Sequence, residues 1–390
     1  MMLGLLLARA GVDVLVLEKH ADFLRDFRGD TIHPSTLEVM HELGMLEDFL
    51  ALPHQQVREL SAQVGDARVP VADFTHLPTR CKFVAFMPQW DFLDFLAARA
   101  ARYPSFRLRM RAEVAGLLEE SGRVVGVEVT TPEGRYQVRA DLVVGADGRH
   151  STVRERAGLE VRELGAPMDV LWFRLSRSPS DPLESMGRFD AGRIFVLINR
   201  DTYWQCGYVI AKGTIDGIRR QGIAAFRENV ARAVSYARDR VGELRGWEDV
   251  SLLTVRVDRL QRWYRPGLLC IGDAAHAMSP VGGVGINLAL QDAVAASNLL
   301  AGPLVEGRLT VKDLAGVQRR REIPTRVTQW LQVQAQKRVI APVLGGAAPS
   351  RLPLALRLLR RFAVLRRIPA RLIGMGVRPE HVRTAPAVRG

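Results

Sequence analysis

The hydrophobic positions of this chain keep two rhythms, one of helices and one of strands. Residues 1–10 are almost wholly apolar, with Gly4 placed for close packing, and read as a helix. Residues 11–18 follow as a continuous apolar run ending in Glu18, the pattern of a parallel strand. Helix, tight turn, strand and terminal acid make the second half of a dinucleotide-binding βαβ unit, in which the acid bonds a ribose about 20 residues beyond a glycine-rich turn. Counting back from Glu18 puts that turn at or before Met1, so the first strand and its G-x-G-x-x-G turn are expected to be missing from this sequence.

Further along, a helix starts near Pro34-Ser35-Thr36 and stops at Gly44, and residues 61–85 read as short strands and turns. Residues 88–103 form an amphipathic helix ended by Pro104, and 124–130 with 136–139 make a hairpin around Pro132-Glu133-Gly134. Residues 170–175, 194–199 and 203–210 look like antiparallel strands, followed by an amphipathic helix over 223–241 and a strand over 251–258. This layout predicts an α/β fold: a Rossmann-like dinucleotide domain interleaved with an antiparallel sheet, plus C-terminal helices. The expected domain pieces are 1–60, 88–165 and 255–320 for the dinucleotide domain, 61–87 and 166–254 for a substrate domain, and 321–390 for the helical end.

Composition narrows the class. A chain of 390 residues with 47% hydrophobic and 25% charged residues can hold two domains with real cores. No run of 18 apolar residues appears, so no membrane-crossing helix is expected. Cys81, Cys206 and Cys270 lack metal or disulfide spacing, so no metal site is expected and a cytoplasmic location is the expectation. The net charge of +13 is uneven: residues 351–390 hold ten arginines and a single acid, Glu380. Leucines and arginines alternate at helical spacing over 352–373. That pattern fits a packed or solvated helix, or a peripheral contact with a membrane or partner through 351–390. Near-absence of interleaved aromatics argues against nucleic acid.

The chemistry lies in two segments. In 268–287 a buried strand runs into Gly272-Asp273, then through Pro280, Gly282, Gly283 and Gly285 into a helix with Ile286 and Asn287. An acid at a strand end accepts bonds from ribose or ribityl hydroxyls, and free N–H groups at a helix start hold an anion or a carbonyl oxygen. One segment doing both jobs suggests a bound flavin. In 140–154 a short apolar strand reaches Asp147-Gly148, and Ser151 or Thr152 caps a helix.

Together these segments resemble the second flavin-binding motif and the Asp-Gly motif of the single-component FAD-dependent aromatic hydroxylases, the 4-hydroxybenzoate hydroxylase-like group. The resemblance implies an FAD-dependent monooxygenase that uses NAD(P)H and O₂ to hydroxylate an aromatic or polyketide-like molecule through a flavin C4a-hydroperoxide. It also implies flavin contacts at Glu18, Arg28, Gln89, Asp147, Gly148, Gly272, Asp273, Pro280, Gly283, Gly285, Ile286 and Asn287. His33 and Tyr203 are the expected catalytic candidates: histidine titrates near neutrality, and either Tyr203 or Trp204 should point at the substrate because strand side chains alternate. His276 is expected to be fixed within the flavin motif rather than to transfer protons. Two other readings stand beside this one. The first is a flavin hydroxylase, epoxidase or reductase acting on quinones or isoprenoids at a membrane surface; the second is a paralogue deficient in FAD.

Overall fold

The computed structural model describes residues 1–24, 31–65, 67–182, 185–190, 192–346 and 354–387. The apolar start is a helix, Met2–Arg9, with every residue from Met2 to Ala8 buried. Gly4 is needed there: a Cβ would come within 2.9 Å of Val16 Cγ2 and 3.0 Å of Phe106. Without a side chain, the helix lies directly on the parallel pair formed by Val14–Leu17 and Phe106–Arg109.

A second parallel pair joins Val143–Gly145 to Leu268–Cys270, with Tyr264–Arg265 antiparallel on the far side. The two pairs do not bond to each other. Val14–Leu17 and Val143–Gly145 each keep one edge without a strand partner among the described residues, and both line the same cavity. Val14–Leu17 is the parallel strand expected within 11–18, and Leu15 on it is 38% exposed.

Three helices complete this layer: Gln89–Ala100, Gly285–Val305 and Val311–Ala335. The segment Val281–Val305 has the length and hydropathy of a membrane span, contrary to the sequence expectation, but 61% of its apolar window is buried in the protein. It packs on Met2–Arg9 and Val311–Ala335, as a core helix does. Beside it, Glu113–Glu120, Arg123–Thr131 and Gly134–Arg139 form an antiparallel meander. Its first hairpin turns on Ser121 and Gly122, both at positive φ, as a two-residue hairpin loop requires.

The second layer is a seven-stranded sheet in the order Ser251–Leu253, Met168–Ser176, Tyr203–Ala211, Arg193–Asn199, Met186–Asp190, Glu59–Val64, Ala67–Asp73. Alternation divides its side chains. Phe173, Phe195, Trp204 and Cys206 pack under the helix Gly222–Ala233, while Val170, Trp172, Ile194 and Val209 face the cavity.

Several boundaries differ from the sequence reading. The helix expected over 223–241 ends at Ala233, because Val234 takes an extended conformation (φ −126°, ψ 71°) and turns its side chain into the core. The strand expected over 251–258 stops at Leu253, and Asp258–Leu260 pairs instead with Val161–Glu163. The helix expected over 352–373 breaks at Phe362 into Leu354–Arg361 and Arg367–Gly374. Pro369 in the first turn of the second helix would interrupt a continuous one. The boundary expected at 320/321 falls inside the single helix Val311–Ala335, which continues through a π-helical turn, Gln336–Ile340, into Ala341–Leu344. The chain end then returns to its start, where Arg9 donates to the Thr384 carbonyl at 2.6 Å and Ala387 N–H to the Arg9 carbonyl at 2.8 Å.

Candidate active site and flavin loop

The loop after Leu268–Cys270 is shaped by its glycines. Gly272 turns the chain at φ +58°, and Gly282 and Gly283 follow at +80° and +62°, a left-handed pair that side chains resist. At Gly283 a Cβ would stand 2.4 Å from Thr31 Oγ1, which donates to the Gly283 carbonyl at 3.0 Å. The helix Gly285–Val305 then begins with no side-chain cap. Its first N–H groups, at Gly285 and Ile286 on the cavity wall, are the anion- or carbonyl-binding end of a 21-residue helix.

A buried charge network lies beneath this loop. Asp292 accepts from Gly272 N–H at 3.1 Å, meets His276 Nε2 at 2.6 Å and accepts from Arg321 Nε at 2.9 Å. Arg321 reaches Glu380 at 3.3 Å, and Arg320 holds the same carboxylate at 2.6 Å. Burial alone would raise the Asp292 carboxyl, but His276 and Arg321 outweigh it and hold it below the usual carboxylate value. His276 is 1% exposed, packs 4.9 Å from the Trp263 ring and does not line the cavity, so it supports the loop from behind.

A second set of bonds ties the loop to the long helix. Gln329, Gln332 and Gln336 share one helical face. Gln329 donates to the Asp258 and Ala277 carbonyls, Gln332 exchanges bonds with Ser279 and also reaches the Val281 carbonyl, and Gln336 donates to Ser279 Oγ at 2.7 Å.

The loop opens on a cavity of about 1760 Å³, larger than the few hundred to 1,000 Å³ of a single small-ligand pocket. Glu18, Gln89, Asp147, Gly148, Gly272, Asp273, Pro280, Gly283, Gly285 and Ile286, which the resemblance names as flavin contacts, all line it. The Asp147 carboxylate is also occupied locally, accepting from Ser151 Oγ at 2.5 Å and Val153 N–H at 3.1 Å to cap the helix Thr152–Arg156. Glu18 accepts from His20 N–H at 2.9 Å.

Two placements differ from the expectation, and a third lies outside the described residues. Asn287 does not line this cavity: its amide accepts from His33 N–H and Thr36 Oγ1, each at 2.8 Å, and donates to the Thr31 and Gly283 carbonyls. It staples the Thr31–Ile32 strand and the helix Pro34–Glu42 to the loop. Tyr203 is not on the cavity wall either; it sits at its strand's start, 5.0 Å from the Arg174 guanidinium. Trp204 faces the opposite side, fully buried, donating to Asp181 at 2.8 Å. Arg28 lies outside the described residues.

His33 does line the cavity and is 1% exposed. Burial lowers its pKa to about 4, only partly opposed by a 2.7 Å bond between Nδ1 and the Ile373 carbonyl. A carbonyl can only accept, so Nδ1 carries the proton and Nε2 keeps its lone pair. Sequence reasoning missed Arg149, which lines the cavity and brings the two motifs together, 3.8 Å from Asp273. Its place directly after Asp147-Gly148 was the available signal.

These features fit FAD at the loop. Side-chain-free glycines and an uncapped helix start suit the flavin ring, Asp273 suits the ribityl chain, and Glu18 and Gln89 extend the lining toward an adenosine end. Residues 1–330 match the family described as "FAD binding domain". The 6-methylpretetramide 4-monooxygenase of Streptomyces rimosus is 33% identical over 371 residues, 93% of this chain and 88% of the relative. A 12-dehydrotetracycline 5-monooxygenase/anhydrotetracycline 6-monooxygenase of Streptomyces rimosus is 31% identical over 75% of this chain; this chain spans only 59% of that longer relative. Among solved structures, the anhydrotetracycline hydroxylase OxyS of Streptomyces rimosus superimposes with a TM-score of 0.73 at 26% identity, covering 96% of this chain and 73% of that one. The chain belongs to the FAD-binding family of flavoprotein monooxygenases, and its cofactor is FAD.

Proposed function

We propose that this protein hydroxylates an aromatic, polyketide-like molecule, consuming one NAD(P)H and one O₂ and releasing the hydroxylated product, NAD(P)⁺ and water. The observation that supports it most is the apolar extension of the cavity, where Trp172, Ile194, Val196 and Val209 on the seven-stranded sheet face the flavin loop. Relatives with names of the tetracycline series agree with a flat, multi-ring substrate. Bound FAD supplies the transfer of reducing equivalents from NAD(P)H to O₂, which delivers one oxygen atom to the ring.

The protein's part is orientation and water exclusion. The sheet face presents indole and branched aliphatic side chains, which favour a planar ring and keep water from the reacting carbon. His33 Nε2, uncharged and fixed in its tautomer by the Ile373 carbonyl, is the acceptor for a hydrogen bond from a phenolic hydroxyl. That bond orients the ring and adds electron density to its carbons, while burial keeps His33 too weak a base to carry the proton away. The test is NAD(P)H oxidation by the FAD-loaded protein over a panel of polycyclic phenols, with product analysis. The expected result is substrate-stimulated oxidation with one oxygen added; oxidation that no phenol stimulates and that yields no oxygenated product would overturn the proposal.

One observation favours a second reading, an isoprenoid or quinone substrate taken from a membrane surface. Leu354, Phe362, Val364 and Ile368 are 67%, 49%, 58% and 60% exposed, interleaved with arginines, and Leu356 and Ile373 of the same helices line the cavity. Three free, buried cysteines agree with a cytoplasmic location.

A further inference from the structure

The substrate end of the cavity is walled by the seven-stranded sheet, the loop 278–286 and residues 335–343. Among the described residues it holds one side chain that is charged at neutral pH, Arg338. Arg338 makes no hydrogen bond or ion pair among the described residues. The other basic groups of the cavity, such as Arg149, Arg107 and Arg139, stand at the cofactor end or around the meander.

The placement of Arg338 is built rather than incidental. The helix Val311–Ala335 passes into the π-helical turn Gln336–Ile340 at this point. A π turn inserts one residue, which rotates the downstream side chains by about 100° relative to an uninterrupted α-helix. The turn is anchored on both sides: Gln336 donates to Ser279 Oγ at 2.7 Å, and Ile340 packs into the core shared with Trp172 and Ile194. Arg338 therefore enters the apolar lining from an element registered against the flavin loop.

We propose that Arg338 is a specificity-determining residue that recognises an anionic oxygen pair, a carboxylate or the enolate of a 1,3-dicarbonyl, on an otherwise apolar aromatic substrate. This rests on the reading of the cavity as the substrate site. The guanidinium forks onto two oxygens at once, and a partner-free cation beside an apolar wall gains more from an anion than one already paired. Arg338 is itself exposed, which limits the gain to the scale of a screened ion pair.

The test compares anthraquinone-2-carboxylate with its methyl ester, which share a ring system and differ in charge. Binding to the FAD-loaded protein is measured by titration calorimetry at low salt without NAD(P)H. The wild type is expected to bind the acid at least fivefold more tightly than the ester. Arg338→Gln should bind both equally with its ester affinity unchanged, and Arg338→Lys should keep part of the preference. Equal binding of acid and ester by the wild type, or a preference that survives Arg338→Gln, overturns the assignment while leaving the cavity as the substrate site. Binding of neither compound overturns the substrate-site reading, and the assignment falls with it.

Discussion

His33 shows how one residue's environment decides its chemistry. It is buried and uncharged, with its pKa lowered to about 4 by desolvation. The unfolded chain takes up a proton near pH 6.5, while the folded one resists until about pH 4, so this contribution to stability is complete above pH 6.5 and is lost as pH falls toward 4. The effect is on the order of 3 kcal/mol. His33→Asn keeps a donor toward Ile373 and removes the Nε2 acceptor. It should lower kcat/KM on a phenol by up to about 10-fold with flavin content unchanged, and denaturant midpoints at pH 7 and 4.5 should differ less than in the wild type. A variant with unaltered kcat/KM would remove His33 from the chemistry. Asp292 makes the opposite case, a charge that is fully paired. Asp292→Ala leaves Arg321, His276 and the Gly272 N–H without their acceptor, and urea unfolding should show a loss of about 3–5 kcal/mol. Gly272, Asp273 and Gly283 were legible in the sequence because their signal is local, glycines at 272, 282, 283 and 285 and one acid within a single short segment. The partners of Asp292 were not, since Arg321 lies 29 residues away and the Glu380 that completes the network lies beyond it. Asn287 was read from the same motif, but the bonds of its side chain were not legible: its partners Thr31, His33 and Thr36 come from more than 250 positions earlier.

At the level of elements, type was more readable than extent. Periodicity found the antiparallel strands around Val170, Ile194 and Val209 and the helices after Pro34 and Pro88, because each buries one face. It overran the helix at Val234 and the strand at Leu253, where burial of particular side chains outweighs local propensity. The π turn at Gln336–Ile340 had no sequence signature, although glutamines at 329, 332 and 336 on one face of a buried helix marked it as unusual. The divided parallel sheet is the most testable element. Val14–Leu17 and Val143–Gly145 each offer unpaired backbone groups along one edge. Amide exchange along both strands should be faster than in Leu268–Cys270, whose residues are bonded on both sides. Exchange as slow at both edges as in Leu268–Cys270 would show that these edges are covered.

Across the whole molecule, charge is concentrated rather than spread. Ten of the 50 arginines lie in residues 351–390, and the exposed apolar side chains from Leu354 to Leu372 share that surface. If this face meets a lipid surface, vesicles of phosphatidylglycerol should co-sediment the protein and phosphatidylcholine should not. Replacing Phe362, Val364 and Ile368 by serine should abolish sedimentation without changing turnover of a soluble phenol. Failure of anionic vesicles to bind would leave the face as solvated helix. The same helices bear on the reacting centre through one bond, between His33 and the carbonyl of Ile373, groups 340 residues apart in sequence. The flavin loop is fixed from behind by Asp292 and from the side by the glutamines, and the C-terminal segment is fixed in turn through Glu380, which Arg320 and Arg321 hold. Any shift of Ile373 would take away the acceptor that sets the His33 tautomer. The protonation pattern of a residue near the start of the sequence is thus written by the placement of a segment near its end.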